Sequence, residues 1–287
     1  MDDNKIVEMI EETCELPPVP IVASKVLRLV NDPNSTVGQL EEAIMGDSNL
    51  VSRIIGMANS AYYVRIHKVK TLKAAINVLG YKALANLVIA ASTRQFYTKF
   101  GLVEKLLWEH SVGTAIASAV LATEFKALKS DEALVGGLLH DIGKTIINLS
   151  KPDDYREIAE EVYNGNGKYY EVEREKLGFA HNDVGSYLIQ KWNFPVELGK
   201  VIYYHHSIEE VDPSSMDPFQ VKYICIIDVA NNCVRRLGVG YREPDNSVDI
   251  AGLRSLQLLS VELTQDDVDA LLAKIQKVIE EEKSKFD

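Results

Sequence analysis

The chain is poor in sulfur, glycine and proline. Its 287 residues hold three cysteines, Cys14, Cys225 and Cys233, and no two stand at the spacing of a thiolate metal site. A zinc ribbon is therefore excluded, and the simplest setting is a reducing cytoplasm. Seventeen glycines and nine prolines leave few breaks between long stretches of helically spaced apolar residues. No apolar run reads as the roughly 20 residues of a membrane helix. The opening Met1-Asp2-Asp3-Asn4 is acidic and lacks the basic and apolar regions of a secretory signal, so neither a membrane nor an export role is expected. Lysine and arginine total 31 against 42 acidic residues, a net charge of −11, which argues against general binding to a nucleic-acid backbone. The chain contains no Gly-Lys-Ser/Thr phosphate loop, no Gly-x-Ser-x-Gly and no His-Glu-x-x-His, which removes three common enzyme templates.

Hydrophobic residues make up 46% of the chain and charged residues 25%, and the spacing of the apolar positions is that of an all-α protein. Helices are expected over 3–14, from Val22 to Val30, from the Thr36/Gln39 capping box to Met45, and from Ser48 to Ala61. Leu16-Pro17-Pro18-Val19-Pro20 is a stiff link. Thr71 to Leu79 forms a helix closed by Gly80, and another runs from Tyr81 to Tyr97. Residues 62–70 are a loop carrying Arg65, His67, Lys68 and Lys70. It is either a solvated segment or, against the acidic balance, a contact for nucleic acid.

A second lobe begins after Gly101. Its helices run from Leu102 to Leu128, from Asp131 through His140, from Pro152 to Asn164, from Lys168 to Gly178, from His181 past Trp192, from Pro195 to His206, and from Phe219 to Leu237. A loop from Gly238 to Ser247 follows. A last amphipathic helix, capped by Thr264 and Asp267, ends in Glu280-Glu281-Glu282 and a solvated tail. The expected units are 1–100, 101–237 and 238–287.

Five of the six histidines lie between 110 and 206. Helical phase turns His110, His140, Asp141, His181, His205, His206 and Asp228 inward, from different helices. Asp228 lies on the apolar stripe of Val221, Ile224 and Asn231, and a lone buried carboxylate there would cost several kcal/mol. Buried imidazoles each need a partner, and few other polar residues are available to supply one. Seven nitrogen and oxygen ligands exceed the three of a catalytic zinc. They suit two divalent ions sharing a carboxylate, with iron or manganese favoured and zinc or nickel open. Lys144 falls four residues after His140, on the same face if the helix continues, placed to hold an oxygen of a phosphorylated ligand. Asp141 and Lys144 are the expected catalytic pair of a phosphoester hydrolysis that forms no covalent enzyme intermediate.

The segments Leu16-Pro17-Pro18-Val19-Pro20, Gly46-Asp47-Ser48-Asn49-Leu50, Ala58-Asn59-Ser60, Ala75-Ile76-Asn77-Val78-Leu79-Gly80 and Leu138-Leu139-His140-Asp141-Ile142-Gly143-Lys144 resemble the HDOD branch of the HD superfamily of metal-dependent phosphohydrolases. The resemblance covers about residues 15 to 235. It implies an HD-type helical core behind an N-terminal HDOD lobe, in a bacterial signalling or regulatory setting with a signalling protein as a partner. Many HDOD members have degraded metal sites. Here the ligand set is similar to that of the HD-GYP relatives, which hydrolyse cyclic di-GMP. His110, His140, Asp141, Lys144, His181, the His205-His206 pair and Asp228 match by motif. The Gly-Tyr-Pro element is missing, since Ser207-Ile208-Glu209-Glu210 follows the histidine pair. The resemblance thus implies either a phosphohydrolase acting on a phosphoester, nucleotide or cyclic dinucleotide, or a non-catalytic regulatory module with a structural metal.

Overall fold

A computed structural model of the protein describes residues 3–60, 69–97 and 101–286, so most of the basic loop, including Arg65, His67 and Lys68, lies outside the described residues. Among these residues the structure is all-α, without a strand. The helices are α1 (Asp3–Thr13), α2 (Ile21–Val30), α3 (Val37–Met45), α4 (Ser48–Ala58), α5 (Leu72–Thr93), α6 (Leu102–Glu124), α7 (Ser130–Leu139) and α8 (Ile142–Ser150). They continue with α9 (Pro152–Tyr163), α10 (Tyr169–Leu177), α11 (His181–Lys191), α12 (Val196–Tyr204), α13 (Pro218–Leu237), α14 (Arg254–Leu258) and α15 (Gln265–Glu282).

The local signals set many of the ends. Thr36 with Gln39 and Thr264 with Asp267 each form a complete capping box, satisfying two of the first free N–H groups of the helix. Asp47 caps α4 through the Leu50 N–H. Gly80 takes φ 82°, ψ 171° and breaks α5 into two helical pieces, as the sequence predicts. Asn59 accounts for the Ala-Asn-Ser motif. Its side-chain amide donates to the Ile55 and Val69 carbonyls and accepts from the Val69 N–H at 2.7 Å, tying the end of α4 to Val69.

Helices α2 to α5 pack around Val26, Leu40, Ile44, Ile54 and Leu84, all fully buried. The stretch Leu72–Tyr97 has a mean hydropathy of 1.5 in its most apolar window, enough by length and composition to cross a membrane, and half of that window is buried inside the fold. This corrects the expectation that no such run exists. Asn77, Lys82 and Asn86 interrupt the run without lowering its average below that of a spanning helix, and Asn86 donates to Asp131 of α7 at 2.8 Å.

Helices α6 and α7 form the most extensive helix pair, and α13 packs on α6. From Leu107 to Ala122 nearly every residue of α6 is buried. Small residues permit this: a Cβ at Gly137 would lie 2.6 Å from both the Thr114 carbonyl and the Ser118 hydroxyl. Both end segments of the described chain pack back onto other helices. Tyr187 of α11 donates to Glu11 of α1, and the Trp192 indole donates to the Pro17 carbonyl at 2.9 Å. The C-terminal tail is not solvated as expected. Phe286 is buried, Glu282 is buried against Lys285, and Lys285 donates to the Asn59 carbonyl. The buried Phe286 ring, with the last turn resting on α4, outweighs the charges beside it.

Candidate metal centre

The sequence suggests one helix running through His140 to Lys144. Instead the chain breaks there: α7 ends at Leu139, His140 is its C-cap, and Asp141 (φ −104°, ψ 15°) is the N-cap of α8. The break turns both side chains into the space between α6, α11 and α12. It also brings Lys144 back onto Asp141, its Nζ 2.7 Å from Oδ2, rather than alongside His140. Gly143 follows for a steric reason. A Cβ there would collide with the His181 carbonyl oxygen, so only glycine lets α8 close onto the start of α11.

Asp141 stands at the centre. Its Oδ2 faces His140 Nε2 at 3.3 Å and His110 Nε2 at 3.4 Å. Its Oδ1 faces His181 Nε2 at 3.2 Å and His205 Nε2 at 3.4 Å. Two groups of potential ligand atoms result, each within 4.8 Å: His110, His140 and Asp141, and Asp141, His181, His205 and His206. The shared residue is Asp141. Five of the six expected residues other than Asp228 are almost wholly buried, and His206 lies half-buried beside them.

The far nitrogen of four rings is engaged. His140 Nδ1 lies 2.7 Å from the Gly137 carbonyl, His205 Nδ1 2.6 Å from the Ile202 carbonyl, and His110 Nδ1 3.4 Å from the Val239 carbonyl. His181 Nδ1 lies 2.5 Å from Glu173 Oε2. A carbonyl or carboxylate oxygen there requires a proton on Nδ1, which in each neutral ring leaves Nε2 as a lone pair aimed at Asp141. Lone pairs facing a carboxylate oxygen have nothing to bond to. Asp141 Oδ1, His181 Nε2, His205 Nε2 and His206 Nε2 are all buried without a hydrogen-bond partner in the protein. Such orphaned acceptors are costly unless a cation lies among them. The donor set, imidazole and carboxylate without thiolate, fits a divalent metal.

The electrostatics agree. Burial pushes His110 down to about 3 and His205 down to about 4, with Asp141 opposing both shifts. Burial, then His205 and His181, hold His206 well below the imidazole range. Burial opposes charge on His181 too, but Glu173 outweighs it and raises this ring. Burial alone would raise Asp141; His140 and Lys144 hold it well below the carboxylate range.

Access differs on the two sides. Toward Oδ2 a cavity of about 20 Å³ lies among His110, Lys144, Tyr163, Tyr169 and Tyr241, room for about one water. Toward Oδ1 a cleft of about 510 Å³ reaches His205, His206 and Lys144, walled by Tyr169, Tyr170, Asn231 and Arg235.

The HDOD domain family matches residues 16–208 of this chain. The chain belongs to the HDOD family. An HDOD domain protein of unknown function from Geobacter sulfurreducens superposes with a TM-score of 0.77 at 23% identity, over 99% of this chain and 97% of that one. A Shewanella amazonensis protein, provisionally named a metal-dependent phosphohydrolase, superposes with a TM-score of 0.71 at 19% identity over the whole of both chains. An uncharacterized Treponema pallidum protein is 23% identical over 225 residues; the match spans 78% of this chain and 43% of that longer protein. At these identities the solved structures establish the shared HDOD fold.

Within this HDOD chain one expected ligand, Asp228, belongs to neither group, although it lines the same cleft as His205, His206 and Lys144. Its Oδ2 accepts from the Ser255 hydroxyl at 2.5 Å and its Oδ1 from the Asn232 amide at 3.1 Å. The carboxylate the sequence leaves without a local partner therefore finds one a turn away and another on α14. Glu173, in contrast, escapes the sequence reading. It sits on the polar helix α10, whose composition marks no inner face, yet it is fully buried. Its position eight residues before His181, across the tight Leu177-Gly178 helix end, was the one available signal.

Proposed function

We propose that the protein is a metal-dependent phosphohydrolase of a signalling pathway, acting on a phosphoester or nucleotide, with the HD-GYP-like set of histidines as its ligands. The observation that carries this reading is the shared carboxylate: Asp141 presents one oxygen to His110 and His140 and the other to His181 and His205. Two divalent cations held there would polarise a phosphoryl oxygen and ease deprotonation of a water. Lys144, held as an ammonium by Asp141 against the cost of its burial, borders the cleft and would hold another phosphoryl oxygen. Tyr169 lies under that ammonium, 4.6 Å from Nζ to the ring centre, and Tyr241 packs edge-on to His110. These rings keep bulk water from the Lys144–Asp141 pair and so strengthen it. The absence of a Gly-Tyr-Pro element leaves selection of the leaving group to the cleft wall.

Protein loaded with Fe²⁺ or Mn²⁺ and screened against phosphomonoesters, phosphodiesters and cyclic dinucleotides should turn over one class, and Asp141→Ala should abolish that activity. Unchanged turnover in the variant rejects the reading.

A second reading has its own observation. The ligand atoms are so deeply enclosed, with about 20 Å³ free on one side, that the cations would serve the fold of a regulatory module that binds a signalling partner. That reading requires a large loss of thermal stability on chelation and no turnover across the screen.

A further inference from the structure

We infer that Glu173 is a positioning residue for His181 and makes the Oδ1 side of Asp141 the tighter of the two cation sites; this rests on the two-cation reading above. Glu173 Oε2 accepts from the His181 backbone N–H at 2.8 Å and from His181 Nδ1 at 2.5 Å. Both residues have no exposed surface. The other oxygen, Oε1, has no hydrogen-bond partner, so the charge on Glu173 is offset chiefly at His181. An anion on Nδ1 does two things for the opposite nitrogen. It fixes the tautomer and ring angle, and it raises the basicity of Nε2. The histidines on the Oδ2 side have only main-chain carbonyls in that role, which fix the tautomer and supply no charge. The two sides of one carboxylate are therefore unequal in donor strength as well as in number.

A role confined to holding the start of α11 is separable. Both hydrogen bonds converge on the same oxygen, so in Glu173→Gln the single amide oxygen can accept both while the negative charge disappears. Titration of metal-free protein with Mn²⁺ alone, followed by calorimetry, is expected to resolve two steps in the wild type. Glu173→Gln should weaken the tighter step by about 10- to 100-fold and leave the weaker one unchanged. Equal affinities in the two proteins would overturn the inference while leaving the two-cation reading intact. A wild type that takes up no Mn²⁺ would overturn both. An independent measurement needs no variant: in nitrogen–proton NMR correlations of the metal-free wild type, His181 should carry a strongly deshielded proton on Nδ1. A neutral His181 protonated only on Nε2 would contradict the proposal.

Discussion

On the Oδ2 side of Asp141, two imidazoles are steered by main-chain carbonyls and face a cavity of about 20 Å³. On the Oδ1 side, three imidazoles converge, one of them steered by a buried carboxylate, and a cleft of about 510 Å³ opens beside them. A single side chain joins two unlike environments. The closed side resembles a protein interior, where an unmatched lone pair must be compensated by something small enough to enter. The open side has both the stronger donors and the room for a ligand. Lys144 borders both spaces, so its ammonium is the element through which a ligand in the cleft would touch the closed side.

The most damaging change is the one that removes the join. Asp141→Ala should abolish metal uptake on both sides, read by elemental analysis. It should also lower the stability of the metal-free protein by about 3–5 kcal/mol, because Lys144 is left as an uncompensated buried charge. Adding Lys144→Met should restore much of the stability and none of the metal. Retention of one full equivalent in Asp141→Ala would break the idea that the two sides share a ligand.

Acid comes next and acts on the two sides together. His110 and His205 are pushed down to about 3 and about 4, against an unperturbed value near 6.5. A folded value below the unfolded one means stability that is present above about pH 6.5 and is lost as the pH falls toward 4 and 3. His181, shifted upward, runs the other way and offsets part of the loss. Denaturant titrations of metal-free protein should show stability declining by several kcal/mol from pH 7 to pH 4, and His110→Phe should flatten the slope. A flat profile in the wild type would mean that these rings are not held neutral in the fold.

Smaller still is the effect that separates the sides. His110→Ala should cost one equivalent of bound metal and leave the other, and His205→Ala should do the same on the opposite side. Stepwise chelation of the wild type should empty the His110 side first, since its donors are fewer and lack an anionic partner. Simultaneous loss of both equivalents in either variant would erase the distinction.

The unequal legibility of these residues in the sequence has physical causes. His110, His140, His181 and His205 could be found because each interrupts an apolar helical face, and a buried imidazole is conspicuous there. The helix caps at Thr36 and Thr264 and the break at Gly80 follow from local chemistry that operates over three or four residues. The break between α7 and α8 at His140 could not be found that way. No local signal between His140 and Lys144 marks the turn, and the close approach of Gly143 to the His181 carbonyl that goes with it lies 38 residues on. Glu173 was hidden for a similar reason, because a carboxylate on a charged helix looks solvated until another element covers it. The tail failed in the opposite direction: Phe286 among charges gave no periodicity, yet one buried ring suffices to dock a terminus.

Asp228 provides the finest test of the comparison, because helical phase and motif assign it to the site while its hydrogen bonds do not. Burial pushes its carboxyl up to about 6, with Ser255 and Asn232 opposing the shift. A raised carboxyl value means that the folded state favours the protonated form. The contribution is fully present below about pH 4 and is lost as the pH rises through 6. Asp228→Asn keeps the shape and can hydrogen-bond to both neighbours, so the metal-free variant should be more stable than the wild type by about 2–3 kcal/mol at pH 8. That gain should vanish near pH 4. If Asp228 stands apart from the centre, the variant should also bind the same number of cations as the wild type. Loss of an equivalent would mean that a cation draws this carboxylate away from Ser255, and the Oδ1 side would then hold one more oxygen ligand than its hydrogen bonds now allow.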